Sequence, residues 1–226
     1  MEMDDFAIGT KYFGEGNYKK AIKYYTKAIK LKPNDAQLYY TRAFAYSSLG
    51  YYYRPLWDYG KALRLDKNFT NAYYYRGLLF IGNGQYDKAI IDFTKALNLE
   101  KDRADIYCFR GIAYRRKWDY KKAIDDCNSA IQLDSNIVEA YNTRGEIYIV
   151  KENYDLAIED FTKAIQISPN YYEAYYNRSQ AYAWKKCFDL QMADLEKLSI
   201  INPNNALSEM VNVSKIHAKY MLKQKD

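Results

Sequence analysis

The chain of 226 residues has a single histidine, three cysteines, four prolines, ten glycines and four valines. Each shortage removes a class of protein. One imidazole, at His217, leaves no partner set for a histidine-based catalytic triad. Cys108, Cys127 and Cys187 are odd in number and lack any Cys-x-x-Cys spacing. Neither a disulfide framework nor a zinc site is expected, and no cofactor is called for. Little valine, glycine and proline argues against a sandwich or barrel with many tight turns. Apolar runs such as Leu78 to Ile81 fall far short of the roughly 20 residues that cross a bilayer. The start, Met-Glu-Met-Asp-Asp, has no basic segment followed by an apolar one, so the expected location is cytoplasmic. Gly82-Asn83-Gly84 is an isolated Gly-x-Gly without the rest of a phosphate-binding fingerprint. The expectation is a protein that is not an enzyme.

Tyrosine is what the chain has in excess. There are 27, within an aromatic content of 17%. They explain how a sequence that is 49% hydrophobic keeps a mean hydropathy of -0.58. Leu, Ile, Val and Phe are still frequent enough for a packed core, which places the chain outside the disordered range.

A period of 34 residues organises this composition. The pattern Ala-x-x-x-aromatic-x-x-Ala occurs at Ala21/Tyr25/Ala28, Ala89/Phe93/Ala96 and Ala157/Phe161/Ala164. Intervening copies read Pro55/Tyr59/Ala62 and Ala123/Cys127/Ala130, and a sixth reads Gln191/Leu195/Leu198. The register divides the chain into 2-35, 36-69, 70-103, 104-137, 138-171 and 172-205, followed by a tail at 206-226. Within the third block, Tyr73, Arg76, Gly77 and Phe80 share one helical face, and Tyr86, Ala89, Ile90, Phe93, Ala96 and Leu97 form the stripe of a second helix. Gly16, Gly50 and Gly84 stand between the two as helix C-terminal residues. Pro55 falls in the first turn of its helix and should delay that helix by about a residue. Leu207, Met210, Val211, Met221 and Leu222 approximate an apolar stripe in the tail, which reads as a capping helix to about residue 223.

The stretch Tyr73 to Phe93, YYYRGLLFIGNGQYDKAIIDF, resembles the tetratricopeptide repeat, with Arg76 in place of an apolar residue. The resemblance covers residues 2-205. It implies an all-α, right-handed α-solenoid of stacked antiparallel helical hairpins, whose first helices line a concave groove that holds a protein partner. The co-chaperone members of the family grip a terminal carboxylate with Lys, Asn and Arg; here those places hold Phe6 and Thr10, Tyr40 and Phe44, Tyr74 and Leu78. That clamp is absent.

Arg42, Arg76, Arg110, Arg144 and Arg178 replace the apolar residue, and Asp58, Asp92, Asp126, Asp160 and Asp194 follow each by 16 residues. The first block has neither, with Ile8 and Tyr24 instead. Joint presence and joint absence point to a charge-assisted pair within each hairpin.

The face opposite the packing stripe supplies the candidate partner site. It comprises Phe6, Phe13, Tyr40, Phe44, Tyr74, Leu78 and Ile81 in the first half. In the second it runs through Cys108, Arg115 and Arg116 to Glu139, Asn142, Glu146, Glu173, Tyr176 and Gln180. Such a face suits a peptide or partner segment with apolar anchors at one end and basic residues at the other. Tyr51, Tyr53 and Trp57 form a second candidate patch on the back, for a partner or for another copy of the chain; a monomer or weak homo-oligomer is expected. The net charge of +6 raises RNA or other single-stranded nucleic acid as a rival ligand. Counted over 1-35, 36-205 and 206-226 the excess is +2 each. That spread argues against nucleic acid.

Overall fold

Side chains that can accept from a bare backbone N–H mark where helices begin. Asp4, Asn17, Asp35 and Asp119 accept from the N–H groups of Ala7, Lys20, Gln37 and Lys122. The computed structural model describes residues 4–201 and 208–223. Among them the regular structure is thirteen helices: α1 (Asp5–Gly14), α2 (Tyr18–Leu31), α3 (Ala36–Ser48), α4 (Tyr53–Leu65), α5 (Thr70–Gly82), α6 (Tyr86–Leu99), α7 (Ala104–Arg116), α8 (Tyr120–Leu133), α9 (Val138–Val150), α10 (Tyr154–Ile167), α11 (Tyr172–Trp184), α12 (Phe188–Ile201) and α13 (Ser208–Lys223). The fold is all-α and is built as a solenoid of helical hairpins.

The chain divides into two units, Met1–Ala113 and Tyr114–Asp226. In the first, α1 packs on α2, α3 on α4 and α5 on α6, while α2 and α4 each pack on the next hairpin. In the second, α9 packs on α10 and α11 on α12, with α10 against α11 and α13 closing on α12. Val211 of α13 is buried beside Tyr175, Leu195 and Leu198. Leu207 and the side chains of Met210 and Leu222, also assigned to that stripe by the sequence, lie outside what the structure describes.

The repeated stripe is the core. Ala21, Ala89 and Ala157 are fully buried, as are Phe93 and Phe161. Each such ring contributes about 1.5–3 kcal/mol by leaving water. Glycine is needed opposite the rings rather than opposite the alanines: a Cβ on Gly77 would lie 2.6 Å from Phe93, and one on Gly145 2.6 Å from Phe161. The turns place Gly16, Gly50 and Gly84 at φ between 70° and 77°, the left-handed region that glycine enters freely. Trp118, Glu152 and Lys186 take the same conformation in the second unit. As the proline suggests, α4 starts at Tyr53, one residue later than the Tyr18 and Tyr86 starts of α2 and α6 would place it.

The arginines do more than pair within a hairpin. Arg42 donates from Nε and Nη2 to the two oxygens of Asp58 at 2.8 and 2.7 Å. Arg76 with Asp92, Arg144 with Asp160, and Arg178 with Asp194 repeat this two-point geometry. The remaining nitrogen, Nη1, reaches back to the preceding hairpin. It donates to Thr26 from Arg42 (3.2 Å), to Thr94 from Arg110 (3.2 Å), to Asn128 from Arg144 (2.6 Å) and to Thr162 from Arg178 (2.8 Å). The sequence reading assigned only the intra-hairpin bond. The structure adds a bond across hairpins. At Arg76 the upstream acceptor position is Gly60, which has no side chain to offer.

Candidate partner-binding surfaces

In the first unit, rings on successive first helices meet in stacked and tilted pairs. Phe13 of α1 lies 5.4 Å from Phe44 of α3, and Phe44 lies 4.8 Å from Tyr75 of α5. Tyr40 joins them at 6.4 Å from Phe44 and 6.0 Å from Tyr75. All four are half-buried. The hydroxyls of Tyr40 and Tyr75 make no hydrogen bond among the described residues and are not sealed from solvent. Burial holds the Tyr40 phenol protonated, its pKa pushed up to about 12. The surface therefore combines apolar ring area with hydrogen-bonding groups that have no partner within the described residues.

Other expected residues sit differently. Phe6 packs beside Tyr25 with ring centroids 5.9 Å apart, and Leu78 and Ile81 are half-buried at the edge of the core. Tyr74 is only 9% exposed, enclosed by Tyr75, Phe93 and Phe109, with the Arg103 guanidinium 5.5 Å above its ring. It is a packing residue, because Phe109 closes over the side that the sequence offset left open. Cys108 is likewise buried. Tyr75 was missed: it is one residue past Tyr74, and the Tyr73-Tyr74-Tyr75 run was the available signal.

In the second unit, α9 and α11 carry a polar network. Asn177 donates its amide to Asn142 at 3.0 Å and to Glu146 at 3.3 Å, and the other Glu146 oxygen meets Arg115 at 3.0 Å. Burial raises the Glu146 pKa, while the adjacent Arg115 charge lowers it. Asn142 is buried inside this network rather than open. Glu146 is also not the free acidic group that the sequence suggested, since Arg115 already compensates it. Glu139 and Arg116 are exposed; Glu173, Tyr176 and Gln180 are half-buried. Cys127 is fully buried, its thiol raised to about 12 by that burial, so it stays protonated and unreactive.

On α4 and the turn before it, Tyr53 is 80%, Trp57 57% and Tyr51 46% exposed. Their ring contacts are at edges: Trp57 with Tyr39 at 6.2 Å and Tyr53 with Tyr52 at 5.0 Å. Arg54 lies over Tyr46 and Tyr51, 5.4 Å from each ring centre.

Models of the tetratricopeptide repeat match residues 9–50, 70–103, 104–137 and 138–171. The chain belongs to the tetratricopeptide repeat family. Among solved structures it is similar to YrrB, described as a tetratricopeptide repeat protein with an unusual peptide-binding site, at 28% identity and a TM-score of 0.65 over 87% of this chain and 97% of that one. It is also similar to MamA, at 27% identity and a TM-score of 0.68 over 75% of this chain and 97% of MamA. Cut9 in the APC/C Cut9-Hcn1 assembly shares the fold, at 19% identity and a TM-score of 0.79 over 95% of this chain and 42% of that one. The Hsp70-Hsp90 organizing protein 1 of Arabidopsis thaliana is 50% identical over 42 residues, 19% of this chain. The chain spans 7–8% of the length of the curated relatives it matches. Among the described residues no helix is long and apolar enough to cross a membrane. Family and fold support protein–protein interaction as the general class of function.

Proposed function

We propose that the chain is a non-catalytic interaction module whose first-helix face, in the first unit, seats a segment of a partner protein. One observation carries this reading: Phe13, Tyr40, Phe44 and Tyr75 form a contiguous run of half-buried rings across three hairpins, with two hydroxyls that have no hydrogen-bond partner among the described residues. The rings supply apolar area at low entropic cost, and the hydroxyls suit the carbonyls of an extended backbone. Leu78 and Ile81 extend the apolar edge. In the second unit, described by itself, Glu139 and Glu173 are carboxylates available to basic side chains of a partner, Glu146 being held by Arg115. The similarity to YrrB, whose described property is peptide binding, supports the reading.

The test is a photo-crosslinking residue placed at Phe44 or Leu78 in the full chain. It should capture a recurrent apolar segment of another protein from the source cell, competed by that segment as a synthetic peptide. Diffuse labelling without any recurrent segment, from chains that still unfold cooperatively, would overturn the assignment.

A further inference from the structure

Charge counted by structural element is not spread along the chain. Residues 18–65 contain ten basic and two acidic side chains, a local excess of +8 against +6 for the whole chain. Glu2, Asp4, Asp5 and Glu15 concealed this when charge was summed by sequence block. One of the two acids, Asp58, is buried and bound at both oxygens by Arg42. On α2, Lys19, Lys23, Lys27 and Lys30 follow one another at helical spacing, opposite the buried Ala21, Tyr25 and Ala28, and the helix has no acidic residue. Neighbours at i, i+4 of like charge repel one another. By contrast α6, α8, α10 and α12 each carry exposed carboxylates.

Arg42 bonds both Thr26 of α2 and Asp58 of α4, so these two helices flank it. On α4, exposed Tyr53 and Trp57 line an open cleft of about 330 Å³ together with Arg42, Tyr46, Arg54 and Asp58. The cleft thus carries an exposed cation of its own, Arg54, whereas α2 presents its lysines without an exposed ring among them.

We infer that the outer face of α2 and α4 is a second docking surface, and that its occupant is an acidic amphipathic protein segment. The carboxylates of that segment lie along the lysine stripe, and a bulky apolar side chain enters the Tyr53/Trp57 cleft. Charge complementarity selects an anionic partner. The absence of an exposed ring along the α2 stripe selects a polypeptide over a nucleic acid, in which phosphates and bases alternate along one strand and call for ring faces beside the cations. Tyr12 and Tyr24, the rings nearest the stripe, stack on each other and are covered by Lys20 and Lys27. They offer bases no platform. A lipid surface is disfavoured because the exposed Tyr53 and Trp57 lie on α4 rather than along the lysine stripe of α2.

The test uses the full chain and a labelled 16-residue helical peptide with glutamates on one face and Trp and Leu on the other, followed by fluorescence anisotropy. Binding should weaken by about tenfold between 50 and 300 mM salt. Lys19→Glu/Lys23→Glu/Lys30→Glu should abolish it, and Trp57→Ala should weaken it by about fivefold. All substituted residues are exposed, and thermal melting checks that each variant stays folded. A peptide with lysines in place of the glutamates should bind the triple variant and not the parent chain. Failure of that reciprocal rescue would overturn the inference, as would tighter binding of oligouridylate or phosphatidylserine vesicles than of the acidic peptide. Variants at Phe44 or Leu78 should leave this binding unchanged, which separates it from the first-helix site.

Discussion

Gly60 is the one interrupted rung in the arginine ladder of the first unit, and filling it should stabilise the protein. A Cβ at this position would lie 3.8 Å from Arg76 Nη1 and 3.8 Å from Arg64 Nη1, ordinary contact distances. A threonine hydroxyl there would stand where Thr26 receives Arg42 and Thr94 receives Arg110. Helix propensity alone favours alanine over glycine by about 1 kcal/mol, and threonine over glycine by only about 0.4 kcal/mol. The bond from a guanidinium that is partly exposed adds about 1 kcal/mol, below the full value for a charged donor. Gly60→Thr should therefore gain about 1.4 kcal/mol, matching or exceeding Gly60→Ala despite its poorer propensity. Equilibrium urea unfolding followed by far-ultraviolet circular dichroism gives both values, provided the slopes agree. In an Arg76→Lys background the threonine variant should drop below the alanine variant by about 0.6 kcal/mol, the intrinsic difference. If threonine already trails alanine by that amount beside Arg76, the cross-hairpin bond contributes nothing and the reasoning fails.

Gly77→Ala should destabilise by about 1–3 kcal/mol, because its Cβ would come 2.6 Å from a Phe93 ring that is fully buried and has no room to move. Gly82→Ala, with nothing within 4 Å, should be neutral or stabilising; equal melting temperatures for the two variants would contradict the close-approach argument. Alkali should expose the tyrosine core. The Tyr40 phenol is raised from 10.0 to about 12, so the unfolded chain loses this proton first. Its contribution is complete below pH 10 and is lost as pH climbs to 12, on the order of 2 kcal/mol. Tyr40→Phe should flatten that fall in stability, measured by urea midpoints at stepped pH, and an unchanged slope would count against it.

The hairpins were legible because their cause is local: a ring every 34 residues flanked by alanines and faced by glycine repeats the same packing problem, and the sequence displays each answer. The arginine–aspartate pairs were legible for the same reason, being set at a fixed spacing of 16. Their backward bond was not, since threonine at positions 26, 94 and 162 looks like an ordinary helix-face residue until the third guanidinium nitrogen is placed. The first-helix face was read less well. A helical offset says which way Tyr74 leaves the backbone, but not that Phe109 of the next hairpin covers it, nor that Arg115 reaches Glu146. Charge was misjudged because blocks of sequence mix two helices that face different ways.

The two-way reach of the arginine has an evolutionary corollary. Because Arg42, Arg144 and Arg178 each join an acceptor 16 residues behind to a carboxylate 16 residues ahead, a 34-residue block such as 138–171 carries both halves of its own joint. A tandem duplication of 138–171 would recreate the bond at the new seam without any compensating change. Copies that differ in length by whole blocks would keep the backward bond, whereas a shift of the seam by even one residue would break it while leaving the arginine–aspartate pair within the block.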